Sequence, residues 1–154
     1  GVVEEIVTVP TGRPILVVPS TGPFFDTGKS VLVAWNGSAQ AADAVMRGMP
    51  FLTGAERVVV LSGSEDREKL PPATPRPEPD LMAYLQRHGI AAELRRTDVS
   101  GSAAGSAILD AAHDVSADLI VMGAFGRSRL REWVLGGATR TVLDYMHVPV
   151  LMAH

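Results

Sequence analysis

Uninterrupted apolar runs separated by helical patterns restrict the fold of this chain more than any other feature. The three clearest runs are Val31–Trp35, Val58–Leu61 and Leu119–Met122. Because none of them alternates with polar residues, each predicts a strand that is buried on both faces of a sheet. Two further strands are predicted at 91–99 and at 148–152, where the proline is tolerated near a strand start or at a sheet edge.

Helical patterns lie between the predicted strands. Apolar residues recur at intervals of three and four in the segments 41–46, 81–85, 104–115 and 139–146. Gly89 suits the end of the second helix, and Ser102 is a candidate cap for the third. From residue 31 the order is β-α-β-α-β-α-β-α-β, which predicts an α/β fold with a five-stranded, doubly wound parallel sheet.

The segment 63–80 interrupts this alternation. It contains five prolines among acidic residues, so neither a strand nor a helix is expected until Pro79 is passed. We interpret the segment as a surface loop. A docking segment is the alternative interpretation.

The composition excludes several classes of function. The chain has 154 residues, which suits one domain, and 46% of them are apolar. It has no cysteine, which excludes disulfides, thiolate catalysis and cysteine-bound zinc. The net charge of −3 argues against duplex nucleic acid as a partner. No apolar run reaches the roughly 18 residues of a membrane span, and the first residues look like an internal cut and not a secretory signal, so a cytoplasmic protein with no membrane partner is expected.

The first residues of the chain resemble its last ones. Residues 1–18 parallel residues 137–153 in the type and order of the predicted elements, and a proline, Pro14 or Pro149, precedes the strand in both. A true repeat is our interpretation, and coincidence is the alternative. The repeat predicts three parts: the last helix and strand of a preceding copy at 1–19, a linker at 20–29 and a complete domain at 30–154.

Three local patterns are rejected as catalytic or metal sites. Gly22–Ser30 resembles a phosphate-binding P-loop, but it has five residues between its glycines instead of four and leads into a strand, not a helix. Gly101–Gly105 has its serine beside the first glycine, not at the centre of a hydrolase elbow. The four histidines lack metal-ligand spacing, so no catalytic residue and no metal ligand is predicted.

The stretch from Met122 to Thr139 is the most informative for function. It follows a buried strand, and Gly123 and Gly126 would let the backbone leave the sheet and approach a ligand closely. The stretch ends at the start of a predicted helix, where the free backbone amides and the helix dipole favour an anion. The residues at this helix start are Gly136, Gly137, Ala138 and Thr139. Arginines between them, among them Arg127, suit phosphate. A plain loop with turn glycines is the alternative.

A second element, Trp35–Ser38, follows the first predicted strand. A doubly wound sheet binds ligands beyond the carboxyl ends of its strands, where the strand order reverses. If this strand and the strand at 119–122 are neighbours at that reversal, Asn36 and Gly123 share one crevice. Asn36 can then form a hydrogen bond with a ribose or a base. An Asx-turn, or a cap for a helix over 39–48, is the alternative role of Asn36.

With these elements in place, residues 30–154 resemble a universal stress protein domain. Gly123, Gly126 and Gly136 match the spacing of the family's G-x2-G-x9-G-(Ser/Thr) loop, which binds ATP or AMP. Asn36–Ser38 stands at the family's Asp-containing turn, and Val148–Leu151 resembles its closing strand. The resemblance implies the flavodoxin-like strand order 3-2-1-4-5. It also implies a stress-response regulator or sensor that binds ATP or AMP, with or without Mg²⁺, and does not turn over a substrate.

The resemblance further implies which residues contact the nucleotide. Those that would border adenine and ribose are Ala34, Trp35, Asn36, Gly63, Met122 and Gly123. Those that would give amides to the phosphates are Gly126, Gly136, Gly137 and Ala138. Arg127 and Thr139 complete the candidate site at the phosphate end.

Three residues depart from the family pattern. Asn36 replaces an aspartate that helps to hold a metal, Gly137 replaces a serine or threonine, and Ser62 stands where many members have histidine. The alternative function is therefore an interaction module of the same fold, with a degenerate pocket and no cofactor. A slow ATP hydrolase is a third hypothesis, but the sequence supplies no base and no carboxylate pair for a metal.

The resemblance also implies pairing through the last strand of the sheet. The edge of that strand exposes amides and carbonyls that need cover. We predict that Pro14–Val18 lies antiparallel beside Val148–Met152, either within the chain as a pseudo-dimer or in a homodimer. A helix over residues 1–9 would cover the remainder of the edge.

Overall fold

The computed structural model of the chain describes residues 13–20, 22, 24, 26–63, 71–73, 78–98, 101–124 and 137–153. In chain order its helices and strands are β1 (Ile15–Val17), β2 (Ser30–Trp35), α1 (Ala39–Gly54), β3 (Arg57–Gly63), α2 (Glu78–Arg87), β4 (Ala92–Thr97), α3 (Gly101–Asp114), β5 (Leu119–Gly123), α4 (Gly137–Tyr145) and β6 (Val150–Ala153). The helix predicted over 1–9 lies outside the described residues. Among the described helices, none is both long and apolar enough to cross a membrane.

Six strands form one sheet in the order β1-β6-β5-β2-β3-β4. The five strands from β2 to β6 are parallel to one another, which confirms the predicted order 3-2-1-4-5. β1 pairs antiparallel with β6 within the chain, as predicted. The winding reverses between β2 and β5, because β3 and β4 follow on one side and β6 on the other. The carboxyl ends of β2 and β5 therefore frame the position where sheets of this kind bind ligands.

Apolar side chains on both faces of the sheet explain the uninterrupted runs. On one face Leu32 and Ile120 pack with α3 and α4, and on the other face Val33 and Val121 pack with α1 and α2. All four side chains are inaccessible to solvent. A strand covered on both faces has no solvent-facing position, and so its sequence shows no alternation.

At the amino edge of the sheet, Asp118 holds the segment that enters β2. Its carboxylate accepts hydrogen bonds from three successive backbone amides, those of Gly28 (2.7 Å), Lys29 (3.0 Å) and Ser30 (3.2 Å). Gly28 has φ +101°, a conformation that L side chains rarely adopt. The segment that resembles a P-loop thus does converge its amides on an anion. That anion is the chain's own Asp118, at the end of the sheet opposite to the carboxyl ends of β2 and β5.

Gly89 terminates α2 just beyond its last helical residue, Arg87, as predicted. The Ile90 amide donates to the Leu85 carbonyl at 2.9 Å, and the Gly89 amide donates to the Gln86 carbonyl at 3.0 Å. These are the two bonds of a Schellman motif. Gly89 has φ +75°, the left-handed conformation that this motif requires.

α1 differs from the prediction in its length and its buried face. It runs through Pro50 to Gly54, beyond the expected end at residue 48. Leu52 is buried beyond the proline, and its packing holds the last turn despite the amide that Pro50 lacks. The apolar spacing in the segment 41–46 predicts that Met46 shares the buried face with Ala41 and Val45, and this is wrong, because Met46 is 61% exposed. Ala44 faces the core in its place.

Two helix starts also differ from the prediction. α3 begins at Gly101, so Ser102 lies inside the helix and is not its cap. α2 begins at Glu78, so Pro79 lies in its first turn and not before the helix. A proline fits there, because the first amides of a helix have no acceptor within the helix.

Candidate functional site

The candidate site lies at the carboxyl edge of the sheet, between β2 and β5. Val33 pairs with Val121 across these two parallel strands. Two residues further along, β2 ends at Trp35 and β5 ends at Gly123, and Asn36 follows Trp35 directly. Asn36 and Gly123 therefore lie at the same edge of the sheet, and we call the candidate site between the ends of these two strands the β2–β5 crevice. Trp35 is half-buried, on the face of the sheet that α1 and α2 cover.

The turn after β2 caps α1. The side-chain oxygen of Asn36 accepts a hydrogen bond from the Ser38 amide at 3.0 Å, and the Ser38 hydroxyl accepts one from the Ala41 amide at 3.1 Å. Asn36 thus forms the Asx-turn that was its alternative role, and Ser38 is the helix cap. The turn uses one lone pair of the Asn36 oxygen, so the group that the turn leaves wholly available for a ligand is the NH2, a donor.

Gly123 is held against the first turn of α1. A Cβ atom at this position would lie 2.7 Å from the Ala41 nitrogen and 2.9 Å from the Gln40 carbonyl carbon. Both are backbone atoms, so no side chain can move aside to make room. The packing of α1 on β5 therefore requires glycine here, whether or not a ligand also approaches.

The first turn of α4 is tied to the end of β5. The Thr139 hydroxyl donates to the Ala124 carbonyl at 2.8 Å, and the Ala124 amide donates to the Ala153 carbonyl at 2.9 Å. Thr139 is buried, so its hydroxyl serves this bond. Gly137 is exposed and Ala138 is half-buried, both in the first turn of α4 beside the crevice. Their amides are among those that lack an acceptor within the helix.

The other predicted site residues are divided between the crevice and its surroundings. Ala34 is half-buried, and Met122 is buried against α3 and α4, so Met122 reaches the crevice through its backbone. Gly63 is the last residue of β3, the strand next to β2. A Cβ atom at Gly63 would lie 3.1 Å from the Thr97 methyl carbon. Gly126, Arg127 and Gly136 lie outside the described residues.

A buried carboxylate next to the crevice is missing from the sequence prediction. Glu78, at the start of α2, is 1% exposed. Its two oxygens accept hydrogen bonds from the Arg96 Nε at 2.6 Å and from the Ser62 hydroxyl at 2.8 Å. Burial by itself raises the pKa of Glu78, but these bonds outweigh burial, and the pKa lies below its ordinary value. Glu78 is thus held as a carboxylate at the ends of β3 and β4.

The sequence contains a weak signal for this cluster. Ser62 closes an otherwise apolar buried run, and Arg96 lies at the same register in the next strand. A polar residue at the end of a buried strand needs a partner. Nothing local identifies Glu78 as that partner, because it lies among the acidic residues of a segment predicted to be a loop. In the described part of the chain, no group of three or more acidic or histidine side chains is arranged to hold a metal ion.

Known proteins similar to this chain were found by sequence and by structure. The family model described as "Universal stress protein family" matches residues 28–154. A universal stress protein from Synechocystis sp. is 29% identical over 148 residues, which cover 90% of this chain and 46% of that protein. A solved universal stress protein from Archaeoglobus fulgidus has a TM-score of 0.74 at 23% identity and is matched by 99% of this chain over 55% of its own.

A shorter solved relative is similar to a smaller part of the chain. The universal stress protein UspA from Lactobacillus plantarum has a TM-score of 0.56 at 19% identity, covering 83% of this chain and 99% of its own. By contrast, the chain spans about half the length of the Synechocystis and Archaeoglobus proteins. At these identities the solved structures support the fold alone, which agrees with the observed sheet order.

Proposed function

We propose that this chain, which belongs to the universal stress protein family, binds an adenine nucleotide, ATP or AMP, in the β2–β5 crevice and acts as a stress-response regulator or sensor. The observation that carries the proposal is the position of the first turn of α4. The bond from Thr139 to Ala124 holds this turn beside the end of β5, where the winding of the sheet reverses. In our proposal the first amides of this helix bind the ligand at the place where such sheets take ligands.

The phosphates would lie at the start of α4. The amides of Gly137 and Ala138 are in the first turn, and the helix dipole adds a partial positive charge at the same end. Together these favour a phosphate without any cationic side chain. Arg127, Gly126 and Gly136, which lie outside the described residues, belong to the same proposed phosphate end.

The adenosine part would lie over the ends of β2 and β3. β2 ends there at Trp35, whose indole is half-buried on the α1 and α2 side, Asn36 has its NH2 group as a donor, and Gly63 has no side chain. Because Asn36 carries no charge, it attracts a metal ion less strongly than the aspartate of the family pattern does. Any Mg²⁺ in the site would be bound chiefly by the phosphates of the nucleotide.

One substitution tests the phosphate end directly. Gly137→Pro removes a single amide N–H at the first position of α4, where proline fits a helix well. A hydrogen bond to a charged group contributes about 1.5–3 kcal/mol, so we expect ATP affinity to fall by roughly one to two decades in calorimetric titration. Gly137→Ala keeps the N–H and should bind ATP within about threefold of the unchanged chain. Absence of binding of both ATP and AMP to the unchanged chain at millimolar ligand contradicts the proposal.

An interaction module with a degenerate pocket is the second candidate function. Two polar groups that a nucleotide site would use are bonded within the chain, the Asn36 oxygen to Ser38 and the Thr139 hydroxyl to Ala124. This observation favours the second candidate over an enzyme, because fewer groups remain to act on a ligand. The titration of the unchanged chain with ATP and AMP separates the two candidates.

We further propose that β1 takes the place of the last strand of a second domain of the same kind. If Pro14 corresponds to Pro149, then Leu16 corresponds to Leu151, and these two residues lie directly opposite each other. Their neighbours pair in the same symmetric way, Ile15 with Met152 and Val17 with Val150. Two equivalent antiparallel strands that pair their equivalent residues have the register of a two-fold axis. The pairing is therefore that of a pseudo-dimer.

A single cysteine tests this symmetry, since the chain has none of its own. A shortened chain of residues 20–154 lacks β1, so the edge of β6 is left unpaired. Two copies of this shortened chain should pair through that edge. Residue 151 would then face its own equivalent at a Cβ distance of about 4.5–5.5 Å. We expect Leu151→Cys to give a disulfide-linked dimer on non-reducing gels, and Val150→Cys, which faces position 152, to give none. Equal cross-linking of the two variants contradicts the two-fold register.

A further inference from the structure

We infer that Gly105 of α3 is a positioning residue for the phosphate end of the crevice, because it sets how closely α3 approaches the first turns of α4. The inference rests on the proposed nucleotide binding and adds a determinant on α3, a helix that contains none of the predicted nucleotide contacts. Gly105 belongs to the Gly101–Gly105 segment that was rejected as a hydrolase motif, and no other role has been assigned to it.

The contact between the two helices leaves no space for a side chain. A Cβ atom at Gly105 would lie 2.6 Å from the Thr141 Cβ and 2.8 Å from the Ala138 carbonyl oxygen. Carbon atoms in contact lie about 3.5–4.0 Å apart. Both neighbours are fixed to the α4 backbone, so they cannot rotate away. An alanine at 105 must therefore displace α4 from α3 by roughly 1 Å.

Such a displacement acts on the amides that would hold phosphate. The Ala138 carbonyl belongs to the first turn of α4, next to the amides of Gly137 and Ala138. On its other side this turn is bonded through Thr139 to Ala124 at the end of β5. The turn thus lies between two fixed neighbours, and hydrogen bonds form only within a narrow range of distances, about 2.7–3.2 Å for N–H to O. A shift of roughly 1 Å takes the amides out of that range.

The adenosine end should not respond to the same change. Trp35 and Asn36 belong to β2 and the turn that follows it, and Gly63 belongs to β3. None of them is on α3 or α4. A displacement of α4 should therefore weaken binding of the phosphates and leave binding of the nucleoside unchanged. A general loss of folding would weaken both.

The test compares ATP with adenosine in calorimetric titrations of Gly105→Ala and of a matched control. Gly54→Ala is the control, because a Cβ at Gly54 meets nothing within 4 Å. We expect Gly105→Ala to lose tenfold or more of ATP affinity and to keep adenosine affinity within about twofold, while the control keeps both. An unchanged ATP affinity, or an equal loss of ATP and adenosine affinity, overturns the inference.

A second variant covers the case in which Gly105→Ala folds poorly. Adding Thr141→Gly removes two of the three closest contacts of the new methyl group and leaves only the Ala138 carbonyl. The double variant should regain part of the lost ATP affinity, and a double variant as weak as the single one overturns the inference. The proposed function fails separately, if the unchanged chain binds neither ATP nor AMP.

Discussion

Gly123→Val should lower the free energy of unfolding by about 3 kcal/mol or more. The first side-chain carbon alone would lie 2.7 Å from the Ala41 nitrogen and 2.9 Å from the Gln40 carbonyl carbon. To relieve these contacts, the first turn of α1 must move away from β5, and this opens the core around Val121. Urea denaturation followed by circular dichroism measures the change.

Gly54→Val is the matched control for this substitution. It makes the same chemical change at the end of α1, where a Cβ meets nothing within 4 Å. Its effect should stay within about 0.5 kcal/mol, as for most surface substitutions. If Gly123→Val changed the stability no more than Gly54→Val does, the close approach of α1 to β5 would not be what requires glycine at 123.

The packing at Gly123 shows how a motif residue can have two causes. The sequence predicts a glycine that lets the backbone approach a ligand, and the structure shows one that lets a helix approach a strand. These causes are compatible, because α1 begins at the same edge of the sheet where the crevice lies. The spacing of the glycines alone does not separate them, since close approach by either a ligand or a helix excludes a side chain.

The fold was predictable because its signal is local. A strand buried on both faces must be apolar at each position, so the runs at Val31–Trp35 and Leu119–Met122 identified central strands. The parallel order then placed Asn36 and Gly123 at one edge without any knowledge of the packing. The similarity between residues 14–18 and 149–153, together with the last-strand pairing that the family resemblance implies, predicted the antiparallel pair at the edge, and the structure shows its register.

Other features depend on contacts between distant parts of the chain and were not predictable in this way. The length of α1 depends on the burial of Leu52 against the sheet, which outweighs the break expected at Pro50. The bond from Thr139 to Ala124 joins residues that are 15 positions apart in the sequence. Local propensity contains no information about such tertiary partners, and packing decides where the two conflict.

The cluster of Glu78, Ser62 and Arg96 is the strongest example of such a contact, and Glu78→Ala should lower the free energy of unfolding by about 2–4 kcal/mol. The substitution leaves the buried Ser62 hydroxyl without its acceptor and removes the anion that Arg96 binds. Arg96 is half exposed, so water can solvate its charge, and the loss stays below that of a fully buried pair. Urea denaturation at neutral pH measures it.

Glu78→Gln keeps the shape of the side chain and isolates the effect of the charge. Because the folded chain lowers the pKa of Glu78, the carboxylate contributes stability above the unfolded pKa of about 4.3. That contribution is lost as the pH falls through the lower pKa of the folded state, where Glu78 takes up a proton. The unchanged chain should therefore be more stable than Glu78→Gln at neutral pH, and the difference should shrink in acid. A difference that stayed constant with pH would show that the charge of Glu78 does not stabilise the fold.

Glu93→Gln shows how the salt dependence of an exposed ion pair differs from that of the buried Glu78 cluster. Glu93 also pairs with an arginine of a neighbouring strand, since Arg57 donates to its two oxygens at 3.0 and 2.9 Å. This pair is half exposed, and about 1 M salt, where the Debye length is about 3 Å, should remove most of its contribution. The contribution of Glu78 should persist in the same salt, because counterions reach a carboxylate that is 1% exposed far less well. Equal salt sensitivity of the two variants would place Glu78 in contact with solvent and contradict the buried cluster beside the crevice.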